Sequence, residues 1–319
     1  MKKVAGIWDV SRSAGSIGML LILLEELEIQ RQIHHADVVE VILVGDARYL
    51  LDGSLCERAD APNGLGLPDS ARLSPVMSVL KAMSGITDCH VCADRIVLRN
   101  ATSLLNGNSV PWPDPRMLVQ GKYTYDSTQV IQSYFSRTGS IPRLSVTREL
   151  LAWARPYLLE KSRGGLSVAV HLKNNPATPG QSNANLESWL TFFSNCANKH
   201  DAHFFLIGDD ATNENFRSLL NVTIARNDGI HLDGYLALTQ AADLFMGMMS
   251  GPANMALFGR TPYVIFKNPD HHATEMAVEL GDADRYPFGL DNQRILRIWD
   301  TTENLTRAFE HATRQMALS

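Results

Sequence analysis

The start of the chain alternates apolar and polar segments in the order strand, loop, helix, strand. Residues 3–8 form a short apolar run, and a polar loop with glycines extends from residue 9 to residue 18. Apolar residues then recur at helical spacing over residues 19–33, and a second apolar run, Val38–Val44, ends at Gly45. Two strands joined by a helix are typical of a β-α-β unit, whose strands are parallel. The first half is therefore predicted to contain a parallel sheet.

The second half of the chain repeats this alternation more regularly. Strands are predicted over residues 166–172, 203–207, 222–225, 243–249 and 262–266, and helices over residues 186–197, 213–220, 233–241 and 253–258. One further amphipathic helix is predicted over residues 301–317. Strands and helices that alternate in this way predict a doubly wound α/β domain.

A change of pattern near the middle of the chain indicates two domains. The predicted helix over residues 148–161 is followed by Gly164 and Gly165, a pair that interrupts regular structure. With 319 residues, the chain is long enough for two domains of ordinary size. We therefore expect an α/β protein with one domain over residues 1–163 and a second over residues 164–319.

The composition is that of a globular protein without a strong charge bias. Charged residues make up 20% of the chain and the formal net charge is −5, so no basic surface for a nucleic-acid backbone is expected. The four cysteines are too few for a disulfide scaffold. Cys89 and Cys92 have the spacing of half a zinc site, but no second pair completes it. We therefore expect reduced thiols, no metal ion and no bound cofactor.

The beginning of the sequence lacks the pattern of a secretion signal or a membrane span. Its early apolar run, residues 19–24, is followed at once by Glu25 and Glu26. This run is too short to cross a membrane, which takes about 20 apolar residues. A cytoplasmic protein without a transmembrane segment is predicted, and peripheral contact with a membrane surface stays open.

The loops at the carboxyl ends of the second set of strands are the expected ligand site. In an open parallel sheet, ligands bind beyond the carboxyl ends of the strands. Four loops have this position, at residues 171–183, 208–213, 225–234 and 250–254. Two of them carry residues suited to an anion.

The loop over residues 250–254 has the residue types that bind phosphate at the start of a helix. Ser250 is a good helix cap, Gly251 lets a ligand approach the backbone, and Pro252 suits the first helical turn. The backbone N–H groups that follow would point outward toward an anion, helped by the helix dipole. Asn254 belongs to the same predicted binding set. The alternative is an ordinary capped helix without a ligand.

The loop that follows residues 166–172 is the second candidate. Lys173 places a positive charge at the end of a strand, and His171 and Asn174 flank it with further polar groups, a set that can clamp a diphosphate without a metal. An exposed polar loop is the alternative. Asp209 and Asp210 follow the next strand, where they could bind a ribose, a base or a metal, or cap the following helix.

The order of these elements is similar to the donor-binding half of GT-B glycosyltransferases. The strand end "VAVHLK" resembles the H-x-R strand end of the fucosyltransferase-like group, with Lys173 in place of the arginine. Residues 241–266, "AADLFMGMMSGPANMALFGRTPYVIF", resemble the D-x-x-x-G-x-x-S-G element of that group and of heptosyltransferase-like enzymes. The likeness covers residues 166–268, and the first half matches only as a β-α-β start. Because lysine lacks the bidentate geometry of arginine, the match favours a diphosphate donor without specifying GDP-fucose.

The resemblance implies a fold and an activity. It implies two Rossmann-like domains that face each other across a cleft, with the last helix packing back on the first domain. The second domain would bind a nucleotide diphosphate sugar, and the first would bind the acceptor, a glycan or a lipid-linked sugar. Lys173, His171 and the loop at Ser250 and Gly251 would stabilise the departing diphosphate without a metal ion.

A catalytic base is expected in the first domain. Asp9 ends the first predicted strand and is the candidate that takes the proton of the acceptor. Arg12, Ser13, Gly15 and Ser16 follow it in a loop that could contact the donor phosphate or the acceptor. A plain turn between a strand and a helix is the alternative for this loop.

Two other functions fit the same pattern. A sugar-nucleotide epimerase on a similar frame would form product without an acceptor. A non-catalytic protein would bind a nucleotide or a sugar without turnover. A dehydrogenase is disfavoured, because the first loop contains G-x-x-G rather than the G-x-G-x-x-G of dinucleotide-binding folds.

Overall fold

The computed structural model describes residues 1–13, 16–45, 70–92, 108–175, 182–208 and 214–318. The chain forms two compact units, Met1–Ser145 and Val146–Ser319. Each unit is a parallel β-sheet combined with helices, so the predicted α/β class with two Rossmann-like domains is confirmed. Within the described ranges, no helix is both long enough and apolar enough to cross a membrane.

The first unit contains a four-stranded parallel sheet. Its strands are β1 (Lys3–Asp9), β2 (Val38–Val44), β3 (Ile86–Val91) and β4 (Ser109–Trp112). Its helices are α1 (Val10–Ser13), α2 (Ile17–Ile33), α3 (Ser70–Ala82), α4 (Pro115–Val119) and α5 (Gln129–Thr138). The order across the sheet is β3-β2-β1-β4. The central strands β1 and β2 are almost wholly buried, which explains their mostly apolar sequences, although Glu40 interrupts the apolar run of β2.

Helix α2 packs directly on β1, and the sequence supplies both the contact and the cap. Gly6 of β1 faces Leu27, and a Cβ atom at position 6 would lie 2.4 Å from Leu27 Cδ1. The hydroxyl oxygen of Ser16 accepts a hydrogen bond from the backbone N–H of Met19 at 3.4 Å, and the helix begins at Ile17. The helix therefore starts earlier than the apolar spacing predicted, because its cap precedes the first apolar run.

Two adjacent acidic residues of α2 are buried inside the first unit. Glu25 Oε1 accepts a hydrogen bond from the backbone N–H of Arg143 at 3.2 Å, and burial raises the pKa of Glu25 to about 8. Glu26 Oε2 accepts hydrogen bonds from the Tyr123 hydroxyl and from Trp112 Nε1, both at 2.7 Å. Burial raises the pKa of Glu26 to about 7. The buried face of α2 thus includes two carboxyl groups, and the pKa of each is higher than that of an exposed glutamate.

The second unit contains a six-stranded parallel sheet. Its strands are β5 (Leu166–His171), β6 (Ala202–Ile207), β7 (Val222–Ile224), β8 (Leu244–Met248), β9 (Tyr263–Phe266) and β10 (Gln293–Leu296). Its helices are α6 (Arg148–Ser162), α7 (Leu186–Cys196), α8 (Leu232–Ala241), α9 (Ala253–Phe258), α10 (Ala273–Leu280) and α11 (Thr302–Met316), with 3₁₀ helices at Glu214–Ser218 and Ala225–Asp228. The order across the sheet is β10-β9-β8-β5-β6-β7. All five strands predicted for this half are present, and β10 is an additional edge strand.

The division between the two units lies after Ser145, whereas the sequence placed it after residue 163. Helix α6 packs against α8 and β5, both of which belong to the second unit. It ends in Arg163 and Gly164, whose φ angles are 55° and 84°. The glycine pair therefore marks the left-handed end of a helix inside the second unit.

Aromatic side chains fill one face of the second sheet. Phe192 and Phe193 of α7 are fully buried, and the ring centroid of Phe193 lies 4.6 Å from that of Phe204 in β6. Phe309 of α11 lies 5.6 Å from Phe192 by the same measure. Helix α11 packs on α7 and β9 within this unit. Packing of the last helix on the first domain stays a prediction.

Asp300 connects the start of α11 to the start of α7. Thr301 caps α11, since its hydroxyl oxygen accepts a hydrogen bond from the backbone N–H of Asn304 at 3.3 Å. The carboxylate of Asp300 is buried, and its Oδ2 accepts hydrogen bonds from the backbone N–H of Asn185 at 2.7 Å and from Trp189 Nε1 at 2.9 Å. One carboxylate thus satisfies two donors that belong to another helix.

Removal of this carboxylate is expected to destabilise the second unit. Asp300→Ala would leave two donors without a partner, and each unsatisfied donor costs about 1–3 kcal/mol, so the free energy of unfolding should fall by roughly 3 kcal/mol. Urea unfolding followed by circular dichroism measures the change. Asp282→Ala removes an exposed aspartate from the same unit and should change the free energy by less than about 0.5 kcal/mol. Equal effects of the two substitutions would contradict a structural role for Asp300.

Candidate functional site

Two of the predicted loops meet at the carboxyl edge of the second sheet. Strands β5 and β8 are neighbours, with His171 paired to Gly247 in the register. A hydrogen bond of 2.8 Å joins His171 Nδ1 to the hydroxyl oxygen of Ser250. The loop that carries Lys173 and the loop that carries Ser250 and Gly251 therefore begin side by side, as the parallel-sheet rule requires.

Two glycines make room for His171. Gly208 has a φ angle of +104°, and a Cβ atom there would lie 2.7 Å from His171 Cδ2 and Nε2. Gly247 has a φ angle of +154°, and a Cβ atom there would lie 2.4 Å from the carbonyl oxygen of His171. Both backbones require glycine on conformational and on steric grounds. His171 is only 5% exposed, so its ring is held in one position beside Ser250.

The start of α9 differs from the expected anion cradle. The N-cap of α9 is Pro252 and no side chain caps it, so the prediction that Ser250 caps this helix is wrong. The Ser250 hydroxyl is engaged with His171 instead. The backbone N–H groups of Asn254 and Met255 donate to the carbonyl oxygens of Gly251 and Pro252, each at 3.1 Å. These two N–H groups are used within the turn and do not point outward.

Positive charge gathers beside these loops. Lys267 directly follows β9 and is 8% exposed, and its Nζ lies 2.8 Å from His271 Nδ1. Burial first, and then the positive charge of Lys173, lower the pKa of Lys267 to about 8. Burial and the Lys267 charge lower the pKa of His271 to about 4, so the neutral ring accepts a hydrogen bond from Lys267. The charged groups of Lys173 and Lys267 are therefore close enough to repel each other, and both face the same loops at the edge of the sheet.

A cavity of about 360 Å³ lies at this cationic cluster. Lys267, Asn268, His271, Met276 and Arg297 are among its lining residues. In the part of the chain that the structure describes, no carboxylate lies within 4.0 Å of the charged nitrogens of the lysine or the arginine. Glu275 and Glu279 act on Lys267 only from a greater distance, where they offset part of the effect of burial on its pKa. A polar cavity lined by two cations without a direct ion pair among the described residues is suited to an anion.

A second cavity shares one residue with the first. It measures about 470 Å³ and its lining includes Asn183, Asn185, Asn268, Trp299 and Thr301. Asn268 lines both cavities, so they are adjacent. The exposed indole of Trp299 and three amide side chains can contact a flat ring through its face and its edge.

A reciprocal amide pair closes the base of the loop after β5. The backbone N–H of Asn175 donates to Asn183 Oδ1 at 3.0 Å, and Asn183 Nδ2 donates to the carbonyl oxygen of Asn175 at 3.0 Å. Asn174 is half-buried beside this pair. The loop containing Lys173 is therefore fixed at both of its described ends, which keeps the lysine near the edge of the sheet.

Asp9 lies where the sequence placed it, at the carboxyl end of β1, but it is fully buried. Its Oδ1 accepts hydrogen bonds from the backbone N–H of Ser11 at 3.0 Å and from the Ser11 hydroxyl at 2.6 Å. Arg12 Nε lies 3.7 Å from the other oxygen, and the Tyr125 hydroxyl accepts a hydrogen bond from the Asp9 backbone N–H at 2.9 Å. The carboxylate is oriented by its own turn.

The other predicted residues of the first loop have different environments. Arg12 is exposed, while Ser13 is buried and its hydroxyl has no hydrogen-bond partner among the described residues. The hydroxyl of Ser16 caps α2, which is the turn alternative left open for this loop. Gly15 lies outside the described residues, as do Asp209 and Asp210 of the second unit.

Sequence reasoning missed Lys267, His271 and Arg297. A signal was present for the first of them, because Lys267 directly follows the apolar run 263–266 in the way that Lys173 follows 166–172. Arg297 follows β10, whose sequence QRIL is half polar and does not form an apolar run. His271 accepts a hydrogen bond from Lys267, a pairing that no local pattern indicates.

The depressed pKa of Lys267 predicts a pH-dependent stability. The folded protein releases this proton near pH 8, and an unfolded lysine releases it near 10.5. Between these values the unfolded state binds more protons, so stability rises with pH. Lys267→Met should raise the free energy of unfolding by about 2 kcal/mol at pH 7, where the buried charge is fully present. The gain should shrink as the pH approaches 10.

Urea unfolding at pH 7, 8, 9 and 10 measures this difference. Lys199→Met, at an exposed position of the same unit, is the matched control and should give no pH-dependent gain. If the increase in the free energy of unfolding caused by Lys267→Met is the same at every pH, the charge of Lys267 does not destabilise the folded protein.

The chain is similar to solved structures of glycosyltransferases. No protein-family model matches it, and no curated protein matches it. A glycosyl transferase family 9 protein from Veillonella parvula has a TM-score of 0.58 and 9% identity, covering 98% of this chain and 97% of its own. ADP-heptose LPS heptosyltransferase II of Escherichia coli has a TM-score of 0.56 and 11% identity, covering 99% and 100%.

A third similar structure is Escherichia coli heptosyltransferase WaaC with ADP. It has a TM-score of 0.53 and 12% identity, and the match covers 97% of this chain and 99% of that chain. At such low identity, a structural match over nearly the whole of both chains shows a shared fold and nothing further. The chain has the GT-B fold of two Rossmann-like units, which confirms the fold that the sequence resemblance implied.

Proposed function

We propose that the protein is a glycosyltransferase that moves a sugar from a nucleotide diphosphate donor to a glycan or lipid-linked sugar acceptor. The observation that carries the proposal is the 2.8 Å bond between His171 and Ser250, which joins the two loops of the sequence resemblance beside a cationic cavity. The GT-B fold of the chain supports it. Of the similar structures, one is an ADP-heptose LPS heptosyltransferase and another is a heptosyltransferase solved with ADP.

The diphosphate of the donor would bind at the cationic cluster. Lys173, Lys267 and Arg297 supply positive charge at the carboxyl edge of the sheet, and Ser250 and Asn174 supply neutral hydrogen-bonding groups. Charge-assisted hydrogen bonds of this kind are stronger than neutral ones and need no metal ion. Gly251 would allow close approach of a phosphate oxygen, with Pro252 and Asn254 in the same loop.

The nucleoside of the donor would occupy the adjacent cavity at Trp299. A nucleobase can stack on an exposed indole, and the amides of Asn183 and Asn268 can read its edge or a sugar hydroxyl. Because the two cavities share Asn268, one nucleotide diphosphate could fill both. Asp209 and Asp210, which follow the neighbouring strand β6, stay proposed contacts of the ribose.

The reaction would break the bond between the anomeric carbon and the diphosphate oxygen. The electron pair of that bond leaves with the diphosphate, and the cations of the cluster stabilise the charge that develops there. His171 is buried and would act as a positioning residue that orients Ser250. The acceptor hydroxyl oxygen forms the new bond to the anomeric carbon, and its proton passes to the carboxylate of Asp9.

The role proposed for Asp9 requires that the acceptor hydroxyl can reach its carboxylate. A general base must come within hydrogen-bond distance of the proton that it removes. Asp9 is covered by Ser11 and Arg12 of its own turn, so α1 must shift when an acceptor binds. Arg12 and Gly15 would then contact acceptor or phosphate, while Ser13 and Ser16 hold the turn.

Donor binding is testable by thermal denaturation with ADP, UDP and GDP, each with and without EDTA. At least one nucleotide should raise the melting temperature in EDTA, because the cationic cluster replaces a metal. Lys173→Ala should reduce that shift by more than half, because it removes a charge that faces the phosphates. Lys199→Ala, at an exposed position before β6, should leave it unchanged. No shift with any nucleotide would overturn the proposal, and a shift only with Mg²⁺ would overturn its metal independence.

Turnover is testable by release of nucleoside diphosphate from nucleotide sugars that carry the nucleotide identified above. Release should require an acceptor, and Asp9→Asn should reduce the rate about 100- to 10,000-fold while the thermal shift is kept, because the carboxamide cannot accept the proton. A product formed without acceptor would indicate an epimerase. Binding without any release from a broad set of sugars and acceptors would indicate a non-catalytic protein.

A further inference from the structure

We propose that the first unit holds a divalent transition-metal ion of the zinc class on the face of its sheet, bound by Glu40, Asp88 and His90. Glu40 lies on β2, and Asp88 and His90 lie two residues apart on the neighbouring strand β3. One ligand atom of each residue lies within 4.8 Å of the others. All three belong to the first unit, so this site does not depend on the proposed transfer reaction.

The distances between the three side chains fit an ion better than they fit hydrogen bonds. His90 Nε2 lies 3.8 Å from Glu40 Oε2 and 3.6 Å from Asp88 Oδ2. Both distances are too long for a hydrogen bond, whose heavy atoms lie about 2.7–3.2 Å apart. Two ligands of a tetrahedral ion with bonds of about 2.1 Å are separated by about 3.4 Å. The two distances from His90 Nε2 are therefore close to the spacing of a coordination shell, and all three atoms lie within 4.8 Å of one another.

Two of the three proposed ligand atoms are buried and have no hydrogen-bond partner among the described residues. Glu40 Oε2 and His90 Nε2 are both inaccessible to solvent and form no hydrogen bond with any described residue. The side chain of Glu40 is only 7% exposed. A buried carboxylate oxygen and a buried ring nitrogen without partners are costly, and a shared cation would satisfy both.

Other groups orient each carboxylate toward the same point. Lys3 Nζ binds Glu40 Oε1 at 2.6 Å, which leaves Oε2 to face His90. The backbone N–H of Cys89 donates to Asp88 Oδ1 at 2.8 Å, which leaves Oδ2 to face His90. Groups that hold the second oxygen of a ligating carboxylate are a regular part of metal sites. Asp88 is 60% exposed at its side chain, so an ion has a path from solvent.

The donor set indicates the class of ion. One imidazole and two carboxylates suit zinc and its first-row neighbours, whereas magnesium and calcium prefer oxygen ligands alone. A fourth position would be open to water on the exposed side. The sequence analysis considered a metal only at the thiols of Cys89 and Cys92 and expected none there, whereas the histidine between them lies beside two carboxylates of the sheet. An ion there would tie β3, an edge strand among the described strands, to β2.

The test uses the full chain after treatment with EDTA and removal of the chelator. Calorimetric titration with Zn²⁺ should show one equivalent bound, and Zn²⁺ should raise the melting temperature. His90→Ala and Asp88→Asn should each weaken binding at least tenfold. Asp88 is exposed, so the second variant is expected to fold, which its circular dichroism checks. His311→Ala, an exposed histidine of α11, should bind Zn²⁺ as the unaltered protein does.

Titration with Co²⁺ separates this site from a thiol site. Bound Co²⁺ should give weak visible absorption without the intense near-ultraviolet band of a cobalt–thiolate bond, and Cys89→Ser should bind as the unaltered protein does. The proposal is overturned by any of three results. These are no saturable Zn²⁺ binding, binding that is unchanged in both His90→Ala and Asp88→Asn, or binding that is lost in Cys89→Ser with a thiolate band in the unaltered protein.

Discussion

The hydrogen bond between His171 and Ser250 is the contact on which the candidate site depends. It joins the ends of the neighbouring parallel strands β5 and β8, and it fixes the positions of the loops that follow them. The bond exists because Gly208 and Gly247 leave space for the imidazole and for its backbone. Any side chain at either glycine would displace the ring, and Ser250 would lose its partner. The geometry of the site thus depends on the absence of a side chain at Gly208 and at Gly247.

Electrostatics give the same edge of the sheet its second property. Lys267 is buried beside a neutral histidine and close to the charge of Lys173, and the charges of Glu275 and Glu279 offset only part of the resulting decrease in its pKa. Part of the favourable energy of anion binding would then come from relief of this repulsion. In the first unit, by contrast, Lys3 Nζ binds one oxygen of the buried Glu40 carboxylate at 2.6 Å, and the other oxygen has no hydrogen-bond partner among the described residues.

The sequence predicted the fold, and the loops that lie at the carboxyl edge of the second sheet, better than it predicted individual contacts. Strands that are buried on both faces are continuous apolar runs, so β5 and β8 and the loops that follow them could be read directly. The partners of a side chain depend on distant residues, which is why Ser250 was expected to cap a helix and instead bonds His171. The same limit applies to Lys267, because its proximity to Lys173 depends on how the fold brings two loops together. Strand β10 was missed because two of its four residues are polar.

The buried pair Glu25 and Glu26 changes how the charge of this molecule should be counted. The formal net charge of −5 treats every carboxyl group as ionised. Burial raises the pKa of Glu25 to about 8 and that of Glu26 to about 7, so near neutral pH the first is largely protonated and the second about half so. Counting side chains therefore overstates the acidity that these two residues contribute. Unfolding near neutral pH would release most of one proton from Glu25 and about half a proton from Glu26, and the unfolded chain would migrate faster toward the anode than its size alone explains.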